Sequence, residues 1–403
     1  MPRRKVNITR IASLLTRDET PPAMPSAHVT PAFLTSTYLY EDVEKTQRTF
    51  RGEEVSYVYS RWSHPNAEEV ERKLEALETY GTDLKARALV FASGMAAISS
   101  AIQALAAPGD TILAQGNIYG TTVDYFQYLS ARYGVRVIYE DFTDPSKIES
   151  ALHKHRHRIS IVYLETPSNP TVRCCDIRQL CALTRKYGAV SIVDNTFATS
   201  YLQQPLRLGA DVVVYSGTKY LNGHGTGLSG ALVGQSDKWM ADIAKIRKLT
   251  GCIASPFDCW LLNNGLKTLH LRMERHSDNA LFVARTLLKL PAVKKVYYPG
   301  LPEDISYNIA KKQMYKYGGV LAFEVVGGYQ RAMRVLKRVR HCRVTASLGV
   351  TDTLIQHPAS MSHYFVPEDQ RLRYHIHDGL LRLSVGIDDP QDVTDDLIRA
   401  LGE

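Results

Sequence analysis

The chain has 403 residues, of which 44% are hydrophobic and 22% charged, a balance that excludes collagen-like, fibrous and low-complexity classes and predicts a globular chain of two or three domains, or one large core with a smaller one appended. Lys and Arg number 49 against 41 Asp and Glu, a net charge of +8, but the basic residues are interleaved with acids, so nucleic-acid binding is not expected and anionic small molecules suit the excess equally. Six cysteines without a C-x-x-C pair make neither a disulfide framework nor a zinc ribbon, and a cytoplasmic, reducing setting is expected.

The start, Met1–Lys5, is basic, but no apolar stretch follows it, so no secretory signal is read there. Residues 1–60 are rich in Pro, Thr and Ser, as at Thr20-Pro21-Pro22 and Val29-Thr30-Pro31, a composition that favours extended backbone and reads as an arm. Over 67–78 Val70, Leu74 and Leu77 form one stripe of an amphipathic helix. The uncharged run 88–109 has the length of a membrane span, yet Ser93, Gly94, Ser99, Ser100, Gln103 and Pro108 are spread through it. It resolves instead into a strand at 88–91, a turn and an Ala-rich helix. Apolar strand candidates follow at 111–114, 135–139, 160–164, 190–193 and 212–215, separated by helical stretches such as 177–186. This alternation predicts an α/β fold with a mostly parallel, doubly wound sheet in a large domain over 61–255. Longer helices at 260–276, 278–290 and 329–339, with strands at 320–325 and 381–385, predict a smaller C-terminal α/β domain over 256–403.

Ligands of such sheets bind at the carboxyl ends of the strands, and three of those ends carry informative residues. After the β-branched run at 212–214 come Ser216, Thr218 and Lys219. A partly desolvated lysine there has a lowered pKa and a nucleophilic amine, and hydroxyls are phosphate ligands by type; a surface lysine fits the same residues. Asp194 ends another strand, where burial calls for a cationic partner, although a helix cap is the equal alternative. Ser93-Gly94-Met95 opens a helix whose free N–H groups suit one phosphate monoester, or merely a tight turn. It is neither a dinucleotide nor a Walker motif. Together they offer a phosphate cradle, a carboxylate and a lysine, the parts that a phosphopyridine aldehyde needs.

Ordered motifs across nearly the whole chain sharpen this: Tyr57-Val-Tyr-Ser-Arg61, Ser93-Gly-Met-Ala-Ala, Tyr119-Gly-Thr-Thr, Glu165-Thr-Pro-Ser-Asn169-Pro, Val193-Asp-Asn-Thr, Ser216-Gly-Thr-Lys-Tyr-Leu-Asn-Gly-His224, Ser347-Leu-Gly, His357-Pro-Ala-Ser-Met-Ser-His363 and Leu381-Arg-Leu-Ser-Val-Gly-Ile387. In these the chain resembles the Cys/Met-metabolism family of pyridoxal-phosphate enzymes, which includes cystathionine γ-synthase, the cystathionine lyases, methionine γ-lyase and the O-acylhomoserine sulfhydrylases. The resemblance implies the fold type I of pyridoxal 5'-phosphate (PLP)-dependent transferases. It also implies transsulfuration chemistry: γ-elimination or γ-replacement on cystathionine, methionine or O-acylhomoserine, with β-elimination as the alternative.

By the same resemblance Lys219 is the Schiff-base lysine and proton shuttle, Asp194 holds the pyridinium nitrogen protonated, and Tyr119 stacks on the ring and assists proton transfer. Gly94 and Met95 through their N–H groups, with Ser216 and Thr218 through their hydroxyls, hold the phosphate. Tyr59 and Arg61 match residues that a neighbouring subunit gives to that phosphate, implying a homotetramer built of catalytic dimers. Arg382 grips the substrate carboxylate by its two-pronged donor geometry, and Asn169 and Ser347 line the same end. Departures concern specificity: His64-Pro-Asn66 replaces Asn-Pro-Thr, Tyr215 replaces a histidine and Gly217 an alanine, Thr121 stands where methionine γ-lyases carry cysteine, and Asp352 leans towards the lyase and γ-synthase side. His153, His155 and His157 read as a solvated cationic helix end rather than a metal site. Cys174, Cys175 and Cys181 read as buried thiols, and His357 and His363 as parts of the site wall.

Overall fold

Seven strands supply the central layer of the computed structural model, which describes residues 10–17, 27–40, 42–54 and 56–402. They are β1 (Arg87–Phe91), β2 (Thr111–Gln115), β3 (Arg136–Glu140), β4 (Ile159–Glu165), β5 (Val190–Asp194), β6 (Val212–Tyr215) and β7 (Gly230–Gly234), in the order β1-β7-β6-β5-β4-β2-β3. All pairings are parallel except the two made by β7. The interior strands are apolar on both faces, as burial beneath helices on each side requires. Leu113, Val162, Leu164, Val193 and Val213 enter one core, while Ile112, Ile161, Tyr163, Ile192 and Val214 enter the core on the opposite face. Polar side chains gather instead just at or beyond the carboxyl ends of β1, β4, β5 and β6, where Ser93, Glu165, Asp194 and Ser216 stand.

A second sheet, in the order β10-β11-β12-β9-β8, is built from β8 (Val293–Tyr297), β9 (Val320–Val325), β10 (Arg343–Val344), β11 (Leu354–Gln356) and β12 (Leu380–Ser384). Leu321, Phe323, Leu381 and Leu383 pack beneath the helices Leu269–Leu287, Gly328–Arg338 and Pro390–Leu401 to form its own core.

The structure corrects the sequence reading in three places. First, β7, with the sequence Gly-Ala-Leu-Val-Gly, carries glycines at both ends and was not foreseen; β1 pairs with it, rather than joining a parallel neighbour. Second, the helices expected at 260–276 and 278–290 are Pro256–Lys267 and Leu269–Leu287, broken at Thr268. There buried Arg272 captures the Gly265 carbonyl at 2.6 Å and the Tyr220 carbonyl at 2.7 Å. A periodic apolar pattern cannot reveal a break made by such a tertiary contact. Third, the expected extended arm contains helices at Ile11–Thr16 and Val43–Arg51, the latter capped by Asp42 and ended by Gly52 at φ 75°. Asp before a helical run and Gly after it were signals of that helix. Thr20-Pro21-Pro22 and Met1–Lys5 lie outside the described residues.

Candidate active site

The strand ends converge on a cavity of about 220 Å³ lined by residues that include Gly94, Met95, Tyr119, Asn169, Asp194, Ser216, Thr218, Lys219 and Arg382. Ser347 meets it through Lys219, whose Nζ donates to the Ser347 hydroxyl at 3.1 Å. Burial, and secondarily the nearby Arg382 charge, lower the lysine pKa to about 8, so its neutral amine is accessible near neutral pH.

Asp194 closes β5. Its carboxylate accepts the Thr196 N–H at 3.0 Å and the Tyr163 hydroxyl at 3.3 Å. Among the described residues no cation is hydrogen-bonded to it, and burial raises its pKa. Beside it in the β4–β5 register stands Glu165, whose two carboxyl oxygens accept the Tyr119 N–H at 2.9 Å and the Asn169 N–H at 2.7 Å. Burial and the Asp194 charge push the Glu165 pKa up to about 8.

Arg382, on β12 and only 2% exposed, donates to the Asn169 side-chain oxygen at 2.9 Å and to the Ser347 carbonyl at 2.7 Å. With its amide turned oxygen-first, the orientation that the surrounding donors call for, Gln356 accepts from Arg382 Nε at 3.1 Å. Among the described residues no carboxylate is hydrogen-bonded to this guanidinium, although burial depresses its pKa to about 10. Glu165 acts on it only across space, so its hydrogen-bond partners are all neutral, and an anionic ligand would relieve the cost of burying the cation. His363, also 2% exposed, is pulled down to about 3 by burial and by Arg382. It therefore forms neutral wall, while His357 is tied to the Ser360 hydroxyl and the Asp378 carbonyl, both at 2.8 Å.

At the other end of the cavity, Ser93 caps helix Gly94–Leu105 by accepting the Ala96 N–H at 3.0 Å. The first helical N–H groups, those of Gly94 and Met95, have no intrahelical acceptor. Close approach explains two glycines. A Cβ on Gly94 would sit 2.9 Å from the Ser216 Cβ, and one on Gly230 would sit 2.1 Å from the Ser93 carbonyl oxygen. The Ser216 hydroxyl has no partner among the described residues, whereas Thr218 Oγ1 is already bonded to the Ser229 carbonyl at 3.1 Å. These donors, with no acidic side chain hydrogen-bonded to them among the described residues, suit a phosphate.

Tyr59 and Arg61 are not brought to this cavity within the chain. Arg61 lies over the Tyr59 ring at 5.5 Å and donates to the Lys248 carbonyl. Asp352 is occupied by an ion pair with Arg343 at 3.1 Å and does not line the cavity. Tyr215 points away from the cavity, donating to buried Glu78. Gly217 leaves room that an alanine lacks, since a Cβ would fall 2.4 Å from Ser229 Oγ. His64 caps helix Pro65–Glu78 through Nδ1. Sequence reasoning gave no role to Glu165, Thr196, Phe197 and Ser362, which also line the cavity. Glu165 carried a signal, an acid ending a buried strand as Asp194 does; Ser362 comes from a loop and carried none.

Residues 12–402 match the family model described as Cys/Met metabolism PLP-dependent enzyme. An L-methionine γ-lyase of Porphyromonas gingivalis is 43% identical over 92% of each chain, and a cystathionine β-lyase of Coxiella burnetii is 37% identical over 94% of this chain and 95% of its own. A crystal structure of cystathionine γ-synthase from Xanthomonas oryzae pv. oryzae superimposes with a TM-score of 0.90 at 32% identity, covering 98% of both chains.

Proposed function

The chain belongs to the Cys/Met metabolism PLP-dependent enzymes, and from that premise we propose that it catalyses γ-elimination of the thiol from L-methionine or a close sulfur amino acid. It is a PLP-dependent enzyme of sulfur amino-acid metabolism with the type I fold. Elimination from methionine consumes one water and releases methanethiol, 2-oxobutyrate and ammonia. The single observation that carries the reading is the arrangement around one cavity of a buried carboxyl with no cation hydrogen-bonded to it, a lysine of lowered pKa, and a buried arginine with no carboxylate hydrogen-bonded to it, all among the described residues. The methionine preference draws on the 43% identity to a methionine γ-lyase.

The cavity fits pyridoxal 5'-phosphate. The Gly94 and Met95 N–H groups and the Ser216 hydroxyl suit its phosphate, with Thr218 joining if its hydroxyl turns from Ser229. Asp194 lacks the cation that a protonated ring nitrogen would provide, and Lys219 offers the amine for its aldehyde. When bound, this group supplies an electron sink that acidifies the Cα and Cβ hydrogens and lets a γ substituent depart. Arg382, preset by Asn169 and Ser347, grips the substrate α-carboxylate and so aims the Cα hydrogen at Lys219. Lys219 Nζ, with proton affinity near neutrality, takes that proton and returns it further along the chain. Tyr119, at the mouth, is the donor for the departing sulfur. Asp194 keeps the ring proton in place throughout.

Tyr59 and Arg61 lie outside their own chain's cavity, which supports their service to a neighbouring subunit and hence a homotetramer of catalytic dimers. The second sheet's own core supports a smaller domain over 256–403 beside a large domain over 61–255 and an arm over 1–60, although Leu15 of the arm and Leu348 and Leu380 of the smaller domain pack into the core of the large one. Among the described residues no helix is long and apolar enough to cross a membrane; a cytoplasmic setting fits the cysteine usage. Thr121, in the place of a methionine γ-lyase cysteine, favours γ-replacement by a thiol as the second reading. Mass spectrometry of products from L-methionine, L-cystathionine, L-cysteine and O-acylhomoserines, each with and without a small thiol, tests both. 2-Oxobutyrate from methionine without thiol supports elimination; a new thioether formed only from an acylhomoserine plus thiol replaces it.

A further inference from the structure

Beyond the carboxyl end of β2 lies a second, smaller cavity of about 90 Å³, lined among others by Asn117, Asp141, Lys147, Arg173, Arg373 and Tyr374. Its charges do not cancel. Asp141, satisfied by the Thr143 N–H and hydroxyl at 3.0 and 2.6 Å, is the single acid among three cations there: Lys147 stands 3.6 Å from it and the Arg173 charge also acts on it. Neither the Arg173 nor the Arg373 guanidinium is hydrogen-bonded to an acceptor among the described residues; Arg373 only rests 5.7 Å from the centre of the Tyr374 ring.

Two buried polar atoms at this cavity are also unpartnered, the Tyr374 hydroxyl and the Asn117 side-chain oxygen, and buried polar atoms without partners call for a missing water or ion. Gly116 admits Tyr374 to this position, since a Cβ there would overlap its hydroxyl at 1.7 Å. The flanking backbone is held in the left-handed region at Val172 (φ 47°) and His375 (φ 61°), a conformation that a β-branched residue adopts only under constraint.

We propose that this cavity binds one hydrogen phosphate ion, separately from the cofactor cradle. Two guanidiniums and the Tyr374 hydroxyl donate to its oxygens, and its own O–H donates to Asn117 Oδ1. That last contact selects hydrogen phosphate over sulfate, which has no proton to give. The site is tied to the catalytic cavity in two ways. Asn117 Nδ2 donates to Ser168 at 2.9 Å and to Thr171 at 3.2 Å, bracketing the Asn169 that presets Arg382. The segment carrying Arg373 and Tyr374 also supplies Ser362 to the catalytic cavity. Bound phosphate therefore steadies the wall against which the substrate carboxylate docks.

The test is calorimetric titration of inorganic phosphate into the holoenzyme, whose cofactor cradle is filled, in chloride buffer of constant ionic strength, with sulfate as the parallel titrant. The expected result is one saturable phosphate per chain, sulfate weaker by roughly ten-fold, and roughly ten-fold or greater loss of affinity in Arg173→Gln and in Arg373→Gln. Amide hydrogen exchange over 361–375 slows with phosphate in the wild type and not in Arg373→Gln. Absence of saturable binding, equal binding of sulfate, or unchanged affinity in both arginine variants overturns the proposal. Arg373 is exposed, so its variant is expected to fold and to keep its basal turnover without phosphate.

Discussion

Glu165 stands directly across from Asp194 in the register of β4 and β5, so two carboxyl groups share one water-poor strand edge and each resists the ionisation of the other. Asp194 lines the cavity, while Glu165 acts through others, fixing the backbone of Tyr119 and Asn169 at once. Glu165→Gln keeps the size but turns an amide donor towards one of those two N–H groups. An unsatisfied or opposed buried donor costs about 1–3 kcal/mol, so kcat/KM should fall by about ten- to a hundred-fold. Steady-state kinetics checks this, with KM rising because Asn169 no longer presets Arg382.

Lys219→Ala should abolish turnover and leave the cofactor bound without a covalent link. Borohydride reduction followed by denaturing mass spectrometry reads the link directly: a mass increment in the wild type and none in the variant. Near-normal rates in Lys219→Ala would remove Lys219 from the mechanism.

The same lysine should weaken the cofactor-free protein. The fall of its pKa from the ordinary 10.5 to about 8 on folding corresponds to about 3 kcal/mol. That penalty is fully present below pH 8, where both states are protonated, and is relieved as pH rises towards 10.5 because the unfolded chain then binds the extra proton. Apo Lys219→Met should therefore unfold at higher denaturant concentration than apo wild type at pH 7, with the gap narrowing at pH 10. A constant gap at both values would contradict the burial argument.

Glu78 offers the mirror case. Fully buried beneath Tyr215 and the Leu206 N–H, it is raised by burial from 4.5 to about 7. Here the folded chain keeps a proton that the unfolded chain has lost, so stability declines as pH rises from about 4.5 to 7, by up to about 3 kcal/mol, and the loss persists above that range. Glu78→Gln should remove this slope. Urea unfolding at pH 5 and pH 8 measures it as the difference between wild type and variant at each pH.

Gly230→Ala should strike the proposed phosphate cradle without removing any polar group, because the new Cβ falls 2.1 Å from the Ser93 carbonyl oxygen. Overpacking of this kind costs about 1–3 kcal/mol, expected as a drop of about ten- to a hundred-fold in PLP affinity in a fluorescence titration of the apoenzyme.

The legible part of the molecule was the part governed by period and by residue type at strand ends. The apolar runs at β2 to β6 appear within a residue or two of their expected places, and Asp194, Lys219 and the Gly94 turn lie where a doubly wound sheet would put its ligands. Neighbours chosen by tertiary contact were not legible. Nothing local marks Gly230–Gly234 as the strand that pairs with β1, and the break at Thr268 depends on Arg272 reaching carbonyls at 220 and 265. Glu165 was legible as an acid ending a buried strand, but its two acceptor bonds, to residues 46 and 4 positions away, were not.

The Arg382 to Asn169 bond spans 213 positions of sequence and joins the two sheets across one cavity. Contacts of such separation form late, since a large loop must close before they reward the chain. During refolding, regained ellipticity should therefore lead regained turnover. Catalysis in this protein is in effect a clock for the last event of its assembly, and a nick that lets either sheet drift should silence it while leaving both folded.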